Sequence, residues 1–574
     1  MIQPSTAAPV NTVYTDADIL VSSGQTAEAI LIKDGRVAAI GSNDEVLAAA
    51  GPDIERQSLD GTTVIPGLVD THPHLMHITA FKASSLDLTD AKSHDDIVAT
   101  IADLAAHTPP GEWIQTSPVG EPHYFLRRSS LDLAEGELPD RHVLDHATST
   151  HPILIRAWAP RMPNVIALNT LGLEQLGIDA STPDRVSDVF IEKDSDGNPT
   201  GILRGSVIAY YNEDSFFKEL EKKMPPIIYP ERVFPAMIGS MAEYNAMGIT
   251  TIYEGHAMGF ALIEAYGALR AQELLTLRVL AAPEFDENAF GGETRSLEEV
   301  RETLERALAM RSLDDDWFRV DGITATITGP FGPGIGRMDA GYRDAYGRTT
   351  TGVRKVSVEK TRLFYEFCAE HGLRLNVLSL TPDEHEENLA LTREMMAKHN
   401  LTSVPWIVQH GILISPEHIR QFAELGFSMT ASLSFTFGKG DMIADRMGED
   451  KLELLNPLRH LIDSGMPLAA SMDWGPTNPF EQMQLAVTHR FSPPSDRCNA
   501  GPGQVISRAE AFDMWTSGGS DVLGWNGIGR LTPGSYADLA ILDRNPITCD
   551  IDALPATQVL RTIVGGRIVH DILH

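Results

Sequence analysis

Between residues 232 and 472 the chain alternates helical spacing with short apolar runs, and this alternation limits its fold more than any other feature. Arg232 to Met247 spaces its apolar residues as a helix does and stops at Gly248, and Ile249–Tyr253 follows as a strand. The pattern recurs. Leu297 to Arg311 precedes Phe318–Ile327, Ser357 to His371 precedes Leu373–Leu378, and Thr381-Pro-Asp-Glu384 opens a helix before Val404–Gln409. Ser415-Pro-Glu417 opens a helix before Phe427–Leu433, and Pro467–Met472 is the last strand. Strands that alternate with helices predict a parallel sheet with helices outside it. Adding Val64–Val69 gives eight strands, ending near residues 70, 253, 282, 327, 378, 409, 433 and 472. The expected class is α/β, a TIM-type (β/α)8 barrel with its active site at the C-terminal strand ends. An open doubly wound sheet is the alternative, but no Gly-rich phosphate loop follows the first strand.

The two chain ends read differently. Ile19–Val21, Ala29–Ile32 and Val37–Ile40 are short strands, with Asp34-Gly35 as a hairpin turn. Leu539–Leu542, Val559–Val564 and Arg567–Val569 repeat the pattern, with a turn at Gly565-Gly566. Neither set can hold a core alone. We expect one small β-sandwich from residues 1–63 plus 528–574, with the barrel spanning 64–527. Residues 1 to about 14 read as a frayed polar end. Ile153–Trp158 reads as an extra strand within an insertion at about 80–230.

A net charge of −33 argues against nucleic acid or an anionic membrane as partner, since both need basic patches. The three cysteines, Cys368, Cys498 and Cys549, are far apart and suggest a reducing compartment. Met1 to Asp18 lacks a signal-peptide pattern, and no uncharged apolar stretch reaches the ~20 residues that span a bilayer. The expectation is a cytoplasmic protein that acts on a small molecule. Self-association is allowed for, but nothing locates an interface.

The chemistry belongs at the strand ends. The first strand leads into Asp70-Thr-His72-Pro-His74, and strand alternation would set both imidazoles on one face. The sixth strand ends in His410 and the eighth in Asp473. Three histidines and a carboxylate on one rim fit a metal site in which the cation lowers the pKa of water toward ~7. Asp473 is placed to take the water proton and pass it to a leaving nitrogen.

Motifs spread along the chain carry a resemblance. They include Lys33-Asp-Gly-Arg36, Pro66-Gly-Leu-Val-Asp-Thr-His-Pro-His74, Gly248-Ile-Thr-Thr251 and Ser471-Met-Asp473. Later come Gly529-Arg-Leu-Thr-Pro-Gly534, with Ala537-Asp538-Leu539 after it, and Thr562-Ile-Val-Gly-Gly-Arg567. In this order they resemble the amidohydrolase superfamily, and within it the YtcJ-like branch that includes N-substituted formamide deformylases. The resemblance implies that His72, His74 and His410 are metal ligands. It implies that Asp473 is both ligand and proton shuttle, and that His410 also helps to hold the carbonyl oxygen. It implies one or two divalent ions, zinc first, with manganese, iron or cobalt tolerating the same ligands.

Two family residues are missing. Thr324 stands where a carboxylated lysine bridges two metals, and the strand-five histidine is replaced around Asn376–Ser379. Glu254 and Glu284 are candidate replacement ligands, and His256 lies beside the first of them. His77 reads as a supporting residue, and His371, His385 and His418 as helix-end or surface groups. Thr328–Gly336 reads as a mobile loop at the pocket mouth, and Trp158, Trp406 and Trp474 as candidate pocket walls. The expected reaction is hydrolysis of an amide, formamide or carbamate-like C–N bond. The alternatives are a deaminase, a C–O hydrolase, or a binding protein with a decayed site.

Overall fold

The computed structural model describes residues 11–573, apart from 53, 121–126, 158–160, 210, 285–294, 492–494 and 496. Two arcs of parallel strand lie at its centre. The first runs Phe318–Val320, Arg278–Ala281, Ile249–Glu254, Leu68–Asp70. The second runs Ile323–Thr326, Leu375–Leu378, Ile407–His410, Ser428–Ser432, Leu468–Ser471. At one seam Glu284 and Thr324 form a parallel bridge. At the other, the Thr71 N–H and hydroxyl donate to the Ala470 carbonyl at 3.3 and 2.8 Å. This is the layout of a TIM-barrel-like fold. Inside the arcs, Val69, Tyr253, Leu280, Ile407 and Ala469 pack with Trp525.

Two expected strands are each divided. Phe318–Ile327 breaks at Gly322, where φ is +104° and a Cβ would meet the Arg374 carbonyl at 2.9 Å. The break hands the chain from one arc to the other. Val64–Val69 is also two strands. Thr63–Pro66 pairs with Leu539–Leu542 and Asp18–Ser22, whereas Leu68–Asp70 pairs with Ile249–Glu254. Gly67 separates them, because a Cβ there would lie 2.2 Å from Thr250 Oγ1. Apolar continuity hides such a change of sheet.

Both chain ends contribute to a six-stranded sheet, in the order Arg567–Asp571, Val559–Val564, Leu539–Leu542, Thr63–Pro66, Asp18–Ser22, Gln25–Ala27. A four-stranded sheet runs Arg36–Gly41, Ala29–Lys33, Thr12–Thr15, Glu55–Ser58. Tyr14, Ile30 and Ile32 from the second share one apolar cluster with Ile19, Val64, Leu539 and Ile563 from the first. Thr12–Thr15 is therefore a buried strand and not a frayed end, because Val13 and Tyr14 have apolar partners that are distant in sequence.

Between the first two parallel strands lies a six-stranded sheet of its own, Ile114–Thr116 to Pro199–Gly205, which includes Ile153–Ile155. Helix ends follow local chemistry. Ser357, Thr381 and Ser415 cap N-termini, and Gly372, Asn400 and Gly426 close C-termini in left-handed conformation. Among the described residues no helix is long and apolar enough to cross a membrane.

Candidate metal centre

The strand Leu68–Asp70 ends before the histidines begin, so strand alternation does not align them. His74 instead takes φ +52° and opens the helix Leu75–Ser84. Asp473 and His410 are also left-handed, at φ +51° and +79°. An L-residue pays about 1–2 kcal/mol for that conformation, and strain of this kind collects where side chains must be aimed. The first and last parallel strands are tied together below the site. Asp70 Oδ1 accepts from the backbone of His72 and of Met472, both at 3.1 Å. The Asp473 N–H donates to the His72 carbonyl at 2.8 Å. Burial pushes the Asp70 carboxyl up to about 7.

His72, His74 and Asp473 converge, with a ligand atom of each within 4.8 Å of the others. The two Nε2 atoms are 3.1 Å apart, a separation that one cation binding both at about 2.0–2.1 Å would give. Asp473 Oδ1 lies 3.4 Å from His74 Nε2 and 3.8 Å from His72 Nε2. Burial, then the neighbouring imidazole of His74, holds His72 well below the usual histidine range and so neutral. The same forces act on His410, with His72 as the neighbour. Neutral imidazoles beside a carboxylate are the donor set that zinc and related divalent ions take. His77 fixes the tautomer of His74. Its Nε2–H donates to the Ala257 carbonyl at 3.0 Å, leaving Nδ1 to face His74 Nδ1 at 3.4 Å. The His74 proton then sits on Nδ1, and its Nε2 lone pair points to the cluster.

His410 reaches the same place from its own strand. Its ring lies 4.7 Å from that of His72, and its Nδ1 is 3.0 Å from Ser432 Oγ and 3.9 Å from Asp473 Oδ2. It stands beside the three converging groups. Glu254 does not join them. Its Oε1 accepts from the Met76 N–H at 2.8 Å and the Tyr266 hydroxyl at 2.9 Å, so it caps the helix that His74 opens. Burial pushes its carboxyl up to about 7. Glu284 also lies outside the cluster, against His256, with Oε2 2.9 Å from Nδ1. Burial would raise its carboxyl, but His256 together with hydrogen bonds from Thr326 and the Ala257 N–H holds it below the usual range. Among the described residues neither glutamate, each held as a candidate replacement for the missing lysine, shares the cluster of His72, His74 and Asp473. The positions of the absent family residues serve the backbone instead. The Thr324 hydroxyl and the Asn376 amide both donate to the Gly255 carbonyl, between Glu254 and His256.

Two site residues escaped the sequence reading. Tyr211 comes from the insertion, and its hydroxyl lies 3.2 Å from His256 Nε2. Lys439, on the helix Ser434–Met447, is 5% exposed, with Nζ 3.8 Å over the Phe435 ring. That ring packs 5.0 Å from His410. Burial lowers the Lys439 amine to about 7. Nothing local marks Tyr211, whereas a lysine flanked by Phe435, Phe437 and Gly440 was a readable signal of a packed face. His385 and His418 are buried and not surface groups, because the helices that carry them pack side by side. Thr328–Gly336 is mostly buried, with Phe331 and Ile335 in apolar clusters, so it is a packed segment. Trp474 stacks on His74 at 4.7 Å, and Trp406 packs on Tyr365 and Phe427 away from the site. Trp158 lies outside the described residues.

Paired imidazoles and a carboxylate at the C-terminal rim of a TIM-barrel-like sheet define a metal-dependent hydrolase. The chain belongs to the amidohydrolase family, whose profile matches residues 57–570. It is 26% identical to an N-substituted formamide deformylase of Arthrobacter pascens over 562 residues, covering 95% of each chain. It is 22% identical to YtcJ of Bacillus subtilis, covering 96% of this chain and 97% of that one. A crystal structure of a metal-dependent hydrolase from Pyrococcus horikoshii OT3 superposes with a TM-score of 0.69 at 19% identity, covering 94% and 99% of the two chains. That last likeness speaks for the fold alone.

Proposed function

We propose that this protein hydrolyses the C–N bond of a small amide, with N-substituted formamides as the first substrate class to test. The observation that carries the reading is the convergence of His72 Nε2, His74 Nε2 and Asp473 Oδ1 in one buried cluster. The full-length similarity to a formamide deformylase supports the bond type. His72, His74 and Asp473 would hold a divalent cation, zinc first, which when bound polarises a carbonyl and makes water a stronger acid. Asp473 takes a proton from the attacking water, and His410 contacts the carbonyl oxygen. Asp70 and His77 keep these groups aimed. Trp474 stacks on His74, and Tyr211 of the insertion lies against His256. We read the two arcs as one barrel within residues 64–527, and the paired sheets of residues 1–63 and 528–574 as a β-sandwich.

The test is metal content per chain, on protein purified without chelator, for wild type and His72→Ala. One bound ion in the wild type, lost in the variant together with amide hydrolysis, is the expected result. No metal in the wild type, and no change on substitution, would sink the reading. Product analysis separates the related chemistries: an amine plus a carboxylic acid marks amide cleavage, whereas ammonia marks deamination.

A further inference from the structure

We propose that a cavity at the base of the parallel strands, away from the metal centre, binds a small oxyanion through Arg374 and Trp525. The inference does not depend on the hydrolysis reading. The cavity measures about 170 Å³, and Arg311, Arg319, Arg374, Asp314, Asp321 and Trp525 supply its polar lining. Asp321 and Arg374 stand just before the strands Ile323–Thr326 and Leu375–Leu378. His410 and Asp473 stand at the opposite strand ends, at the close of Ile407–His410 and just after Leu468–Ser471. Trp525 follows the helix Ser517–Leu523 and shares the apolar cluster inside the arcs with Tyr253 and Leu280.

The lining carries more guanidinium groups than carboxylates, in a chain whose net charge is −33. Both carboxylates are already engaged. Asp321 Oδ1 lies 3.1 Å from Arg311 Nε, and its Oδ2 lies 3.3 Å from Arg374 Nη2. Asp314 Oδ1 lies 2.9 Å from Arg319 Nε. Arg311 Nη1 also donates to the Gly372 carbonyl at 3.4 Å, and Arg319 Nε to the Asp315 carbonyl at 3.0 Å. Support of the backbone accounts for those two side chains. It leaves two donors over. Arg374 Nη1 and Trp525 Nε1 are both buried and neither has a hydrogen-bond partner, with Trp525 only 1% exposed. Buried donors are nearly always paired, and leaving one without an acceptor is costly. The Arg319 guanidinium lies 4.2 Å over the Trp525 ring and holds the indole in place. A guanidinium N–H and an indole N–H can only donate, so their ligand must accept. The excess of guanidinium makes that acceptor an anion, and carboxylate or phosphate oxygens suit the planar fork. With a water taking about 30 Å³, the volume admits an ion the size of phosphate or acetate.

The bound ion links the strand Leu375–Leu378, through Arg374, to the segment after the helix Ser517–Leu523, through Trp525. The experiment is calorimetric titration with inorganic phosphate and, separately, with acetate, in Tris chloride at fixed ionic strength. It compares wild type, Arg374→Lys, Trp525→Phe and His72→Ala. Lysine keeps a positive charge beside Asp321 but lacks the second arm of the fork. One saturable site per chain is expected. Its affinity should fall about tenfold or more in Arg374→Lys and about threefold or more in Trp525→Phe, the range for one lost hydrogen bond to an anion. It should be unchanged in His72→Ala, which separates it from a metal centre that could itself take either anion. Saturation by phosphate alone marks a phosphoryl-bearing ligand, and saturation by acetate alone marks a carboxylate. No saturable heat up to about 10 mM of either anion, a range that covers weak millimolar binding, would overturn the site. So would binding lost in His72→Ala, or affinity unchanged in either lining variant. If one lining variant fails to fold, the other decides.

Discussion

His385 carries no charge in the folded chain. Burial, then His418, lowers its imidazole to about 3, and it bonds Ser379 Oγ at 2.6 Å and the Ile412 carbonyl at 3.1 Å. In the unfolded chain it titrates near 6.5. Between about 6.5 and about 3 the unfolded state therefore holds the extra proton, and stability falls as pH falls. His385→Gln should remove up to one proton from this linkage, flattening the dependence by as much as ~1.4 kcal/mol per pH unit. Denaturant unfolding from pH 7 to pH 4 measures it, and parallel curves for the two proteins would show that His385 is not neutral. Glu254 gives a second test at this scale. Because its oxygen serves Met76 and Tyr266, Glu254→Gln should keep wild-type metal content while lowering the melting temperature. Loss of metal on that substitution would restore it as a ligand. Residue chemistry was legible where the pattern was local: His72 and His74 share one motif. His385 was misread because its burial comes from a helix distant in sequence.

At the scale of elements, the stretch Thr63–Ser84 makes three structures in succession, a strand of the end sheet, a parallel strand and a helix. Gly67 permits the first change and the left-handed His74 the second. Gly67→Ala should destabilise the protein by about 1–3 kcal/mol, the range for forcing atoms into packed space. Adding Thr250→Gly should recover part of that loss, because the clash is with the Thr250 side chain. Unfolding curves of the single and double variants check this, and no recovery would place the strain elsewhere. Helix caps and glycine stops were legible because they depend on a few adjacent residues. The division of Val64–Val69 was not, since strand periodicity is the same in either sheet.

At the scale of the whole molecule, Arg278 and Asp538 bind the parallel strands to the C-terminal segment. Both are 1% exposed, with Nε and Nη2 donating to the carboxylate at 2.7 and 3.0 Å. Tyr536 stacks on the guanidinium at 3.7 Å, and Asp538 also accepts from the Gly565 N–H at 2.7 Å. Asp538→Ala strands a buried cation and should cost about 3–5 kcal/mol. It should also open the C-terminal segment to protease before the barrel strands unfold, and an unchanged digestion pattern would refute the link. The sequence by itself determined the βα alternation, the β-rich ends and the helix limits, and it offered His72 and His74 as a pair, because each rests on short-range spacing or a contiguous motif. Only the tertiary structure decided that Glu254 caps a helix, that Glu284 supports His256, and that Tyr211 reaches the site from the insertion. Those roles depend on distances between segments tens to hundreds of residues apart, which packing sets and local pattern does not encode.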